Sequence, residues 1–195
     1  MADFSQALDY LTPDEGGLSP DGLTKYGITV EDARSLGYTG DMKDFPYSLA
    51  PGFYQTNFWA PLGLDGATAQ GPATAIFDMA VLTGLGGAGV ITQNALADLG
   101  WNGTMDGAFG PETLAGVNGM DPNAFVSTFA DQAEAYLRAL AGVAQNPGWI
   151  TRAERLATLQ TGVAGALAQV TTHPTTTAII VAFILFGFGF FRGRS

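Results

Sequence analysis

An all-α fold carrying a small β-ribbon near residues 23–29, followed by one C-terminal transmembrane helix, is the architecture that this sequence of 195 residues predicts. Three observations carry that expectation. Apolar residues recur at i, i+3, i+4 and i+7 in successive segments, which are opened by Asp, Thr or Pro and separated by glycine-bearing breaks. One early run, Leu23-Thr24-Lys25-Tyr26-Gly27-Ile28-Thr29, has strand-forming residues about a glycine and reads as a ribbon. From Ala178 to Phe191, finally, every residue is apolar or glycine.

Asp3 caps a first helix bearing Phe4, Ala7, Leu8 and Leu11 on one face, and Pro13 follows its end. Glu15 then stands at or just past that helix, ahead of a Gly-Gly turn and the Asp21-Gly22 loop. Thr29 is placed to cap a helix from Val30, with Asp32 completing a capping box. Ser48 is expected to cap a helix carrying Phe53, Tyr54, Phe58 and Trp59, with Phe58 in the core. Gly71-Pro72 opens a helix that runs to Gly84, with Asp78 as its only charge. A second helix spans Gly87 to Leu99 and ends at Gly100. Pro111 and Asp121-Pro122 begin two more, the latter with Phe125, Val126, Phe129, Ala133, Tyr136, Leu137 and Leu140 as its apolar stripe.

Composition narrows the chemistry. There is no cysteine and one histidine, so thiolate nucleophiles, disulfides and thiolate metal sites are excluded. A zinc site would want more His, Cys or carboxylate ligands, and a Ser-His-Asp triad would have to use His173, in a Thr/Pro-rich stretch. Carboxylate chemistry remains, with neither metal nor cofactor expected. The 18 acidic against 8 basic residues give a net charge of −10, which repels nucleic-acid backbones and other anionic polymers alike. A chain of this charge is better delivered to a polymer by tethering than by electrostatic steering.

Glu15-Gly16-Gly17 followed closely by Thr24-Lys25-Tyr26-Gly27-Ile28-Thr29 resembles the opening of the glycoside hydrolase 108 family, lysozyme-like N-acetylmuramidases of phages and bacteria. Further stretches are similar in the family's order. They are Tyr54, Phe58 and Trp59 for a Tyr-x-x-x-(Tyr/Phe)-Trp pattern, Phe77-Asp78-Met79-Ala80-Val81-Leu82-Thr83-Gly84, Asp106-Gly107-Ala108-Phe109-Gly110-Pro111-Glu112-Thr113, and Gly148-Trp149-Ile150-Thr151-Arg152. The match runs from Leu8 to Arg155. Two departures stand out: the loop around Asp21 is shorter than is common in the family, and Leu82 replaces its usual Asn.

The resemblance implies a muramidase domain over residues 1–155, with a catalytic half at 1–85 and a peptidoglycan-binding half at 86–155. It puts Glu15 in the position of the catalytic general acid, which would donate its proton to the glycosidic oxygen. Asp21 and Thr24 are the next catalytic candidates, as charge stabiliser and water-positioning group, against plain turn and strand roles. Tyr26, Tyr54 and Trp59 are candidate sugar-binding aromatics, with the core as the alternative for the last two. Asp78 either lines the groove or, as favoured, braces structure. Peptidoglycan glycan strands are the implied partner.

Residues 156–177 read as a helix candidate and a Thr/Pro linker, and 178–191 as the core of the membrane span. Started at Thr175, the span gives about 25 Å of helix, near the minimum for a bilayer. Met1 to Leu11 lacks the features of a signal peptide, while Arg192 and Arg194 favour a cytoplasmic C-terminus. These opposed indications are reconciled by a phage whose virion carries a membrane, so the expected location is a virion membrane or the host inner membrane, with other virion proteins as candidate partners. Two alternatives stay open: a lytic transglycosylase using the same glutamate, and a non-catalytic virion or wall-binding protein.

Overall fold

A computed structural model describes residues 1–11, 17–140, 142, 144 and 146–160. The expected linker beyond residue 160 and the transmembrane helix at 178–191 lie outside the described residues. Within them the fold is helical, with a single two-stranded sheet: α1 (Phe4–Leu11), β1 (Thr24–Lys25), β2 (Ile28–Thr29), α2 (Val30–Ser35), α3 (Ala50–Tyr54), α4 (Gln70–Asp98), α5 (Pro111–Gly119), α6 (Pro122–Ala139) and α7 (Gly148–Arg155).

Local chemistry sets the boundaries. The Asp3 carboxylate accepts from the Gln6 amide at 3.0 Å at the start of α1. Thr29 and Asp32 form the reciprocal capping box at α2. Asp121 accepts from the amides of Asn123 and Ala124 at the head of α6. α4 ends in a Schellman arrangement, with Gly100 at φ 88, its amide on the Ala97 carbonyl and the Trp101 amide on the Leu96 carbonyl, both at 2.9 Å.

The stretch expected as one helix from a Ser48 cap is built differently. A 3-10 turn covers Tyr47–Leu49, α3 follows with Pro51 in its first turn, and a π-helical turn spans Gln55–Trp59. Ser48 caps nothing, because Pro46 and Pro51 set the turns on either side of it. The two helices expected on either side of Gly84 are found, meeting within α4 at a kink where Gly84 adopts φ 77, ψ 169. Its backbone there lies in a region that side chains disfavour, so the break depends on glycine.

α4 is the hub. It packs most extensively on α6 and also against α1, while α7 closes over α6. By length and composition it is the one helix among the described residues that could cross a membrane, yet the whole of residues 71–80 is buried inside the fold. An aromatic cluster seals α1 to the π-helical turn and α4: Phe4 and Phe77 each meet Trp59 edge-on with ring centroids 5.6 Å apart. The chain then returns, and Leu156 is fully buried, so it belongs to the packed body although residues from 156 on were read as a separate segment. A Cβ on Gly71 would stand 2.6 Å from the Leu159 carbonyl, so glycine at the start of α4 permits that return.

One buried carboxylate organises the return. Asp78, with no exposed surface, accepts from Arg152 Nε at 3.0 Å, and its backbone carbonyl accepts from Arg152 Nη2 at 3.1 Å. Arg155 Nη2 lies 3.9 Å from the same carboxylate, and its guanidinium covers the Tyr10 ring at 4.2 Å. Removing one partner of a buried ion pair strands the other charge. Arg152→Ala is therefore expected to lower stability by about 3 to 5 kcal/mol, read as a shift of the urea midpoint.

Candidate active site

The ribbon is a minimal hairpin. Thr24 pairs with Thr29 and Lys25 with Ile28, leaving Tyr26-Gly27 as a two-residue turn with φ 54 and 68. Both signs match a type I′ turn, whose twist suits a hairpin but which a tyrosine adopts at a cost. Tyr26 is the only non-glycine residue at positive φ among those described. Its carbonyl receives the Tyr54 hydroxyl, and its amide donates to the Gly17 carbonyl at 3.3 Å.

Ahead of the ribbon, the loop folds on its own side chains. Asp21 Oδ1 accepts from the Ser19 hydroxyl at 2.5 Å and from the Leu23 amide at 3.0 Å, and Gly22 turns at φ 74. The Ser19 hydroxyl in turn accepts from the Thr24 amide at 2.9 Å. These bonds, the Ser19 hydroxyl first, hold the exposed Asp21 carboxyl below the usual carboxylate range. It is thus a fixed anion at neutral pH, suited to facing positive charge and unsuited to donating a proton. Thr24 is half-buried in β1.

Glu15, the expected general acid, lies outside the described residues, which break off after Leu11 and resume at Gly17. Both flanks are anchored. Leu11 is fully buried, and Gly17 is bonded to the turn amide of Tyr26. The Tyr10 carbonyl, in the last turn of α1, accepts from Arg155 Nη2 at 3.3 Å.

The aromatics divide unlike the expectation. Trp59 is fully buried, its indole donating to Asp65 at 2.7 Å, and Tyr54 is 2% exposed. Both belong to the core, which corrects their assignment as sugar-binding residues. The π-turn advances more residues per turn than an α-helix and carries Trp59 inward. Tyr26 is half-buried beside the ribbon, with Lys25 Nζ 5.2 Å from its ring centroid. The exposed aromatic is Tyr47, which meets Tyr26 edge-on at 5.2 Å and which sequence reasoning missed. Its only signal was a tyrosine directly after Pro46, in a stretch that periodicity does not describe. Asp78 is the structural residue expected of it, braced by Arg152 and Arg155 of α7. No group of His, Cys, Asp and Glu fit for a metal occurs among the described residues.

Lowered acidity gives this loop a signature. Below its own pKa the Asp21 carboxyl loses its preference for the folded turn, so the turn's stabilisation is present above the ordinary value of 3.8 and is lost as pH falls through the lowered one. The Leu23 amide resonance should titrate with a midpoint below 3.8, and Ser19→Ala should move that midpoint upward. Tyr54→Phe should separately cost about 1 kcal/mol and speed hydrogen exchange at Tyr26 and Gly27.

Comparison with known proteins agrees with this architecture. The glycosyl hydrolase 108 family matches residues 8–84, which include the second half of α1, the ribbon and the first half of α4. No curated protein matches the chain. Among solved structures, SagA of Brucella abortus superposes with a TM-score of 0.63 at 26% identity, over 78% of this chain and 90% of that one. Residues 8–84 are therefore similar to the glycosyl hydrolase 108 family, and the likeness to SagA extends over most of the chain.

Proposed function

We propose that the chain is a muramidase, hydrolysing the β-1,4 bond between N-acetylmuramic acid and N-acetylglucosamine with Glu15 as general acid. The observation that supports this best is the anchored ribbon directly after Glu15-Gly16-Gly17, inside the family-matched residues 8–84.

The chemistry then divides between two carboxyls. A protonated Glu15 donates to the glycosidic oxygen as the bond to the muramyl anomeric carbon breaks. The ionised Asp21 faces the oxocarbenium-like charge that develops, and water completes the hydrolysis with Thr24 helping to orient it. Tyr26 and the exposed Tyr47 offer ring faces and edges to the sugar. A lytic transglycosylase would use the same acid and close the muramyl ring on its own 6-hydroxyl.

The tail completes the proposal. Residues 178–191, apolar throughout and followed by Arg192 and Arg194, would tether the domain to a bilayer. A phage virion membrane or the host inner membrane is the setting that reading favours, with other virion proteins around it. Tethering would raise the local concentration of a domain whose charge does not steer it to the wall.

Mass spectrometry of products released from purified peptidoglycan by the full chain, beside its Glu15→Gln variant, tests the reading. Reducing muramic acid ends are expected from the parent, with at least a hundredfold loss in the variant. Anhydro-muramic ends would move the protein to the transglycosylases. No release by the folded parent chain would favour a non-catalytic wall-binding role.

A further inference from the structure

A concavity on the described surface shares no residue with the ribbon. It encloses about 360 Å³ between Pro61 and Leu62, the interrupted turn of α4 at Leu85 and Gly86, and the loop from Asp106 to Phe109. Two unrelated departures from regular structure converge on it. The break at Gly84 leaves Leu85 37% exposed on one wall of the pocket. Opposite, the 106–109 loop is pinned by a glutamine that is itself only 2% exposed.

Gln93 donates from Nε2 to Asp106 Oδ1 at 2.9 Å and to the Ala108 carbonyl at 3.0 Å, and its Oε1 receives the Gly107 amide at 2.7 Å. The Ala108 amide donates to Asp106 Oδ1 at 2.9 Å. Gly89 lies beneath the loop, where a Cβ would stand 2.1 Å from the Gly107 carbonyl, so the loop rests directly on the α4 backbone. The pocket's shape is thus set before any ligand arrives.

These bonds also determine what the pocket can recognise. The amides of Gly107 and Ala108 and the carbonyl of Ala108 are already engaged, which takes those three groups away from any ligand. Asp106 is the one charged residue in the lining, and both bonds it accepts fall on Oδ1. The remaining side chains in the lining, Pro61, Leu62, Leu85, Ala108 and Phe109, are apolar. An anionic ligand would be repelled, whereas a compact cation on an apolar stem would be matched at both ends.

We propose that this pocket binds a primary alkylammonium, the side chain of a diamino acid, with the charge on Asp106 and the methylenes against Leu62, Leu85 and Phe109. Its source, resting on the reading of the substrate as peptidoglycan, is the free amine of a peptide stem. The site would then read the peptide while the ribbon handles the glycan. Hydrogen bonds from Gln93 and Ala108 hold the Asp106 carboxyl below its usual range, which keeps it charged throughout the neutral region.

The test is an NMR titration of the full-length ¹⁵N-labelled chain with Nα-acetyl-lysine amide, its Nε-acetylated counterpart and the N-acetylglucosamine trimer. The lysine probe is expected to shift Gly86, Gly107 and Phe109 saturably, with affinity weakened about tenfold by acetylating the amine or by Asp106→Asn. Asparagine keeps the Oδ1 acceptor, so the Gln93-bonded loop stays folded, and an unchanged Gly107 shift in the free variant verifies this. No saturable shift, equal binding of the acetylated probe, undiminished binding by the variant, or shifts from the sugar trimer alone would each overturn the proposal. Binding is read without turnover, so a chain that takes the lysine probe at Asp106 and cleaves no wall refutes the hydrolase reading alone.

Discussion

The fold depends on the need of a single buried charge for a partner. Asp78 sits in the most apolar stretch of the longest helix, where an ionised carboxylate without compensation costs several kcal/mol. Its counter-ions come from α7, more than 70 residues downstream. That demand brings the chain back across α6 and seats Leu156 in the core, and the same excursion lets Arg155 grip the last turn of α1 through the Tyr10 carbonyl and ring. Burying such a pair adds little net stability over an apolar replacement, whereas breaking it is costly, so it serves mainly to select this docking over others. One consequence concerns the limits of the family-matched unit. Residues 8–84 carry the family match, yet the acid buried within them is paired with residues outside them.

Where the sequence could be read, local chemistry decided the structure. Asp3, Thr29 with Asp32, Gly100 and Asp121 each satisfy orphan backbone groups at a helix end, and each does so whatever the tertiary surroundings. Tyr54 and Trp59 show where this fails. Five positions apart, they fall on different faces at 3.6 residues per turn, but the π-turn takes up more residues per turn and both end in the core. Ser48 failed as a cap because flanking prolines had already fixed the turn. The pairing of Asp78 was half legible: a lone acid in an apolar helix announces that it needs a cation, and Gly-Trp-x-x-Arg supplies one, yet nothing local joins two points 74 residues apart.

The candidate site divides in the same way. The ribbon was foreseeable from Leu23 to Thr29, since a glycine among Thr, Tyr and Ile favours a hairpin. The hairpin's two-residue turn carries a tyrosine at φ 54, a conformation that no propensity selects. What holds it there is the hydroxyl of Tyr54, a residue whose ring belongs to the core. Core and site are thus not separate inventories: the ring of Tyr54 fills space among Phe53, Phe58 and Phe77 while its one polar atom reaches the strained peptide. Exposure is likewise a tertiary property, and it falls to Tyr47, in a short 3-10 turn that carries no periodic signal.

Charge links the two regions of the surface. A chain of net −10 gains nothing from long-range attraction to an anionic wall, and at physiological salt its field is felt over only about 8 Å. Within that range the sign of individual groups matters more than the total. Asp21 and Asp106 are both exposed, both held by a side-chain donor and a backbone amide two residues on, and both stay ionised below the ordinary carboxylate range. The same motif therefore presents a fixed anion in two settings. Beside the ribbon it would face a charge that exists only as the glycosidic bond breaks, and in the apolar pocket a charge the ligand carries permanently. The first use would lower a barrier and the second would raise occupancy, and both act within the short range over which a single fixed charge is felt.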